Sequence, residues 1–169
     1  GYELYEYNAK TKKDKLIKRV TNPSQVTFSK SYAYATTYSF RMRAFRNGEG
    51  GRVYGNYSPV VKATVSPANV KGISAYYKNN TSVSVVWKKV SGASGYEVYR
   101  STKKNGKYTR VKTIKKGSTI SAAISHKKGK AYYYKVRAYV TGPDKKPVYG
   151  NFCTAIAAKV STPKLTAKA

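Results

Sequence analysis

Acid–base catalysis, metal binding and nucleophilic attack need acids, histidines or cysteines brought together, and this sequence is poor in all three. Its six acids, Glu3, Glu6, Asp14, Glu49, Glu97 and Asp144, are scattered along the chain, whereas a hydrolytic carboxylate pair needs two at close range. Glu3 and Glu97 sit at equivalent positions of a repeat and read as outward-facing strand residues. The single histidine, His126, lies in a lysine-rich stretch whose charge disfavours its protonation, and no triad partner accompanies it; it reads as structural. The single cysteine, Cys153, excludes an internal disulfide and a cysteine-based zinc site within this chain. It reads as a small buried hydrophobe, with pairing to another chain left open. The glycines from Gly48 to Gly51 match a phosphate-cradling loop only weakly and fit a hairpin better. No residues suited to catalysis, a cofactor or a metal emerge, and the expectation is a protein that is not an enzyme.

One pattern does carry surface chemistry. If Tyr132, Tyr134 and Val136 face inward, then Tyr99, Tyr133, Lys135, Arg137 and Tyr139 stand together on the opposite sheet face, and Arg41 and Arg43 repeat the pattern beside Tyr5 and Phe45. Aromatic faces and guanidinium forks can stack on sugar rings and pair with anionic groups. The same cross-strand pairs also stabilise a sheet by roughly 0.2 to 1 kcal/mol each without any ligand. The pattern therefore reads either as a face for an anionic glycan or polymer or as a solvated sheet face.

Charge sets the wider surroundings. Lys and Arg total 34 against six acids, a formal net charge of +28, so the surface carries a positive potential that attracts acidic partners such as wall polymers, anionic glycans, nucleic acid or acidic proteins, which composition does not rank. The lysine pairs at 12–13, 103–104, 115–116, 127–128 and 145–146 fall in predicted turns. That spread suits solubility and loose attraction to a polyanion; specific nucleic-acid readout needs an element shaped for a groove. No stretch approaches the ~18 apolar residues of a membrane span, and no signal-like segment opens the chain.

The elements that must position these residues come from a duplication. Gly1-Tyr2-Glu3-Leu4-Tyr5 recurs as Gly95-Tyr96-Glu97-Val98-Tyr99, and the run from Tyr38 to Phe45 recurs at the same offset from Tyr132 to Tyr139. Val53-Tyr54-Gly55-Asn56-Tyr57 returns as Val148-Tyr149-Gly150-Asn151-Phe152 with a one-residue shift. The length change therefore falls in the Asn47–Gly51 and Thr141–Lys145 segments, whose residues suit hairpin turns. Within each copy apolar and polar residues alternate with period two: Val83, Val85 and Trp87; Tyr96 and Val98; Tyr132, Tyr134, Val136 and Ala138. Short alternating strands punctuated by Gly, Asn and Pro predict an all-β sandwich.

Trp87, the run Val90–Arg100, the Tyr132-x-Tyr134-x-Val136-x-Ala138 pattern and Gly150-Asn151-Phe152-Cys153 resemble strands B, C, F and G of a fibronectin type III module. The lysine- and tyrosine-rich style is similar to modules of Gram-positive secreted and cell-surface proteins. The resemblance implies tandem immunoglobulin-like sandwiches, with Trp87, Tyr96, Val98, Tyr132, Tyr134, Val136, Tyr38 and Phe40 in the cores. It also implies that Tyr132 and Tyr38 are corner tyrosines whose hydroxyls bond nearby backbone. Position 126, where the family places a leucine, departs from the pattern with His126, as does Tyr32 in the earlier copy.

The expected organisation is a partial module over 1–66 (strands C to G), a complete one over 67–161, and a linker or the start of a following module over 162–169. The earlier copy lacks the A and B strands, and with them a counterpart of Trp87, which leaves the inner face of Tyr2, Leu4, Phe40 and Met42 uncovered. The expectation is a longer protein continuing upstream; the alternative is a neighbouring chain that supplies the strands and builds an extracellular filament. The implied role is an extracellular spacer or adhesion segment. The alternatives are a binding module for anionic glycan or wall polymer and an accessory module of a secreted hydrolase. The partners expected are neighbouring modules or subunits, without specific nucleic acid or a membrane span.

Overall fold

The computed structural model describes residues 1–160; the expected linker over 162–169 lies outside them. The chain divides into two compact units, the first spanning Gly1–Val65 and the second beginning at Ser66. The described residues are all-β.

The first unit is one antiparallel sheet. It is built from β1 (Tyr2–Asn8), β2 (Lys13–Val20), β3 (Thr37–Gly48), β4 (Gly51–Tyr54) and β5 (Val61–Thr64). β1 lies between β2 and β3, with β4 and β5 on the far side of β3. The β3–β4 hairpin turns where expected, with Gly48 opposite Gly51 and Gly51 at a φ of 114° that disfavours a side chain.

The second unit has two sheets. One contains β6 (Ser74–Asn79), β7 (Ser82–Val86), β10 (Ser121–Ser125) and β14 (Lys159–Val160); the other contains β8 (Gly95–Ser101), β9 (Thr109–Ile114), β11 (Tyr133–Thr141), β12 (Pro147–Tyr149) and β13 (Ile156–Ala157). The first sheet runs β10-β7-β6-β14 and the second β12-β11-β8-β9, with β13 also on β11. Every pairing is antiparallel except β14 with β6.

The core follows the period-two pattern. Val83 and Val85 from one sheet meet Tyr96, Val98, Tyr134, Val136 and Ala138 from the other, all fully buried. Trp87 is buried just beyond β7: its backbone N–H donates to the Ile120 carbonyl at 3.0 Å, and its ring centroid lies 5.2 Å from that of Tyr96. Cys153 is buried and free, its Sγ accepting the Val136 N–H at 3.0 Å. Burial pushes its thiol pKa up, which disfavours the nucleophilic thiolate.

One expectation is corrected. The phenol that bonds backbone beneath the core is Tyr96: its hydroxyl donates to the Gly117 carbonyl at 3.2 Å and accepts the Val90 N–H at 2.9 Å. Tyr132 is buried and stacks under the Arg100 guanidinium, 4.3 Å from its ring centroid, and Tyr38 packs on Tyr32; among the described residues neither hydroxyl has a hydrogen-bond partner. The Tyr96 ring reaches across the β8 end of the sandwich to the 88–94 and 115–120 connections, and so takes the role assigned to Tyr132.

Residues 27–31, which lie at the repeat offset from β10, form no strand. In the second unit β10 pairs with β7. Among the described residues no strand of the first unit corresponds to β7, and this segment has no ladder partner among them.

Candidate functional site

The basic aromatic face forms, and at its centre is a carboxylate. The β8–β11 register sets Tyr99 opposite Lys135 and Glu97 opposite Arg137, with Tyr133 and Tyr139 further along the same face. Glu97 is only 2% exposed although it points away from the core. Arg137 closes over it through Nε at 3.0 Å and Nη2 at 2.8 Å, and Arg110 from β9 adds Nη1 at 2.6 Å. The Tyr99 hydroxyl donates to the same carboxylate at 3.0 Å. Around Arg137 stand Tyr149 at 3.7 Å, Phe152 at 4.9 Å and Tyr99 at 5.3 Å from guanidinium carbon to ring centroid.

The first unit builds the same cluster. Glu3, 1% exposed, lies opposite both Arg43 on β3 and Arg19 on β2. Arg19 Nε reaches it at 2.8 Å and Arg43 Nη2 at 3.0 Å, and the Tyr5 hydroxyl donates to it. Arg43 sits 3.7 Å from the Tyr54 ring centroid, as Arg137 does over Tyr149. Arg41 makes its own bidentate pair with Asp14 and stacks between Tyr7 and Tyr57 at 4.6 and 4.0 Å.

The electrostatics follow. Burial alone would raise the Glu3 pKa, but hydrogen bonds from Tyr5, Arg19 and Arg43 outweigh it and lower the value to about 2. Glu97 is lowered by the same balance, burial against Arg137, Arg110 and Tyr99. The Tyr5 phenol is pushed up to about 12 by burial and by the neighbouring carboxylate.

Reading Glu3 and Glu97 as outward strand residues thus placed them on the correct face and missed their burial. The signal available was the juxtaposition of each with the arginine of the Arg-Ala run. The second arginine was less accessible: Arg19 lies opposite Glu3, but Arg110 lies opposite Tyr99, so no repeat alignment superposes them.

The five ion pairs among the described residues all use arginine. No lysine forms an ion pair among the described residues. Lys135, on the candidate face, lies with its ammonium 4.5 Å from the Tyr108 ring centroid and no carboxylate within ion-pair distance among the described residues. Tyr139 turns to the end of the sheet, where its hydroxyl donates to the Ile114 carbonyl at 3.3 Å. His126 packs edge-on against Tyr77 and Tyr132 at 4.7 and 5.6 Å. No helix among the described residues is long and apolar enough to cross a membrane.

No protein-family model matches the chain, and no curated protein does. Solved structures do. A two-domain fibronectin type III segment of chicken tenascin is 18% identical, with a TM-score of 0.52 over 90% of this chain and 83% of its own. An Fn3-like protein from Clostridium thermocellum is 25% identical, with a TM-score of 0.47 over 59% of this chain and 96% of its own. The FN1–FN3 domains of chicken CNTN1 are 21% identical, with a TM-score of 0.48 over 93% of this chain and 55% of theirs. The tenascin match covers 90% of this chain, and together with the all-β sheets above it gives the fold: that of tandem fibronectin type III domains, the first of them a single sheet among the described residues.

Proposed function

We propose that this chain is a non-catalytic segment of a longer secreted or cell-surface protein, acting as a spacer or adhesion module. The observation that carries the reading is the fate of the outer sheet face. Arg43 and Arg137, with Tyr5 and Tyr99, groups well suited to hold a ligand, are turned onto Glu3 and Glu97 and hold strands together. Spacing demands this of a module: a closed core, which the second unit has, strands cross-linked on the outside, and a surface of dispersed lysines that favours solubility. Antibodies raised against residues 67–160 should label intact cells, and excising 66–160 from the native protein should shorten its reach while leaving its other activities unchanged per molecule. Labelling only after permeabilisation removes this reading.

A second reading is favoured by Lys135, a cation that has no carboxylate within ion-pair distance among the described residues and lies beside the Tyr108 ring on the same face as Tyr133. In this reading the face binds an anionic glycan or wall polymer. Retention on an anionic polysaccharide should then fall linearly with log salt concentration and drop in a Tyr133→Ala, Lys135→Ala double variant. Arg137→Ala is the wrong probe, because it also uncovers Glu97. Retention unchanged in the double variant rejects a role for this face.

A further inference from the structure

One end of the second unit carries a polar groove that neither reading above uses. It measures about 520 Å³ and lies between the β6–β7 turn and the connection from β10 to β11, with Tyr77, Asn79, Asn80, His126, Lys128 and Lys130 in its lining. Its two sides are tied together, because the His126 backbone N–H donates to the Thr81 carbonyl at 2.6 Å. The connection itself is a tight turn: the Lys130 N–H donates to the Lys127 carbonyl at 3.2 Å, and Gly129 has a φ of 73°.

The side chains around the groove are mostly donors. Lys128 and Lys130 bring ammonium groups. The Asn79 carbonyl oxygen is already engaged by the Thr81 N–H, the Thr81 hydroxyl and the Ser82 hydroxyl, each at 3.0 Å, so its NH2 is the part left for a ligand. His126 Nδ1 is buried with no hydrogen-bond partner among the described residues. A buried N–H without an acceptor is rarer than an unmet lone pair, so the neutral ring carries its proton on Nε2 and donates from there. No carboxylate lines the groove. The acids of the second unit are Glu97, sealed under Arg137 and Arg110, and Asp144, in the hairpin beyond the far end of β11.

The duplication supplies an internal comparison. His126-Lys127-Lys128-Gly129-Lys130 aligns with Tyr32-Ala33-Tyr34-Ala35-Thr36 of the first unit, and Ala35, at a φ of 55°, keeps the left-handed turn of Gly129. The turn is common to both copies and the lysines belong to one. The charge at this loop is therefore not a requirement of the turn.

We propose that this groove binds a phosphate or sulfate ester carried on a small polyol or sugar. A tetrahedral oxyanion has three free oxygens and accepts from donors on both sides of the groove at once, which a planar carboxylate with two does less well. The volume is that of a site for an organic ligand, not for a bare ion, so the body of the ester lies in the groove with its charged group. The proposal rests neither on the spacer role nor on the Lys135 face, and it stands or falls independently of both.

His126 is the chain's single histidine, so its ring gives one unambiguous set of NMR signals. The full 169-residue chain is titrated with glycerol phosphate, glucose sulfate, inorganic phosphate and acetate at constant pH and ionic strength, while the His126 ring and the Gly129 amide are followed. At least one of the two esters should shift both signals saturably, and the tighter of the two identifies the ester. A Lys128→Ala, Lys130→Ala double variant should bind it at least about ten-fold more weakly, the loss of a charge-assisted hydrogen bond. Removing the same charge at the other end of the unit, in Lys115→Ala, Lys116→Ala, should change the affinity by less than about two-fold, because screening confines the effect of exposed charges. Shifts that never saturate, or equal weakening in the two double variants, overturn the proposal by reducing it to diffuse attraction. Acetate binding as tightly as the esters overturns the tetrahedral assignment, and inorganic phosphate binding more tightly than either ester overturns the ester. Amide signals of the core strands that stay in place in both variants show that each remains folded.

Discussion

Glu97 is a buried charge whose stability depends on its partners. It contributes because Arg137, Arg110 and Tyr99 satisfy the carboxylate, and removing the carboxylate would leave two guanidinium groups facing each other across β8. Glu97→Gln should therefore destabilise the second unit by about 3 kcal/mol, a breakage cost discounted for the exposure of Arg110, as read by urea denaturation. The pH dependence has a definite sign. Glu3 has a folded pKa of about 2 against an ordinary 4.5, so the unfolded chain binds the proton more readily. The stability that Glu3 contributes is complete above about 4.5 and is lost as pH falls toward 2. Glu97 is shifted in the same direction. The urea midpoint of the second unit should hold steady from neutral pH down to about 5 and fall below that; in Glu97→Gln the fall should be shallower. Arg137 and Arg43, expected as ligand groups, act in the structure as covers for these carboxylates, and the repeat pairing of Glu3 with Glu97 was the trace of that arrangement in the sequence.

At the scale of the elements, β8 depends on a residue that has no side chain. A Cβ at Gly95 would lie 2.1 Å from the Ile114 carbonyl oxygen of β9 and 2.5 Å from the Tyr139 hydroxyl. The first contact is with backbone and cannot swing away, so Gly95→Ala should cost about 2 kcal/mol by forcing β8 off β9, visible as a lowered thermal midpoint. Trp87 joins the two sheets from the other side; Trp87→Ala should cost about 3 to 5 kcal/mol and abolish the near-ultraviolet circular dichroism of the core. These strands were legible because their alternation repeats and because both Gly-Tyr-Glu runs open a strand. No reading of residues 27–31 came from the sequence; they lie at the repeat offset from β10 and form no strand. A strand is a property of a pair, and no partner for this segment lies among the described residues.

Across the whole molecule the two units differ in how well their inner faces are covered, and stability should be distributed accordingly. Amides of residues 39–44 in β3 should exchange at least about ten-fold faster than those of 133–138 in β11, although the two runs are repeats. Hydrogen–deuterium exchange read by mass spectrometry separates them. The high net charge acts on this scale too, through lysines that have no ion-pair partners among the described residues; added salt should raise solubility-neutral stability by screening their mutual repulsion. By itself the sequence determined the all-β class, the duplication, the hairpin turns and the membership of the second core, because these depend on period-two alternation and turn chemistry, which are local. Only the tertiary structure decided that Glu97 and Glu3 are buried, that Arg110 and Arg19 serve the same purpose from unmatched positions, and that Tyr96 bonds the backbone in place of Tyr132. Those outcomes depend on which side chains register opposite one another across strands distant in the chain, and a linear pattern does not carry that information.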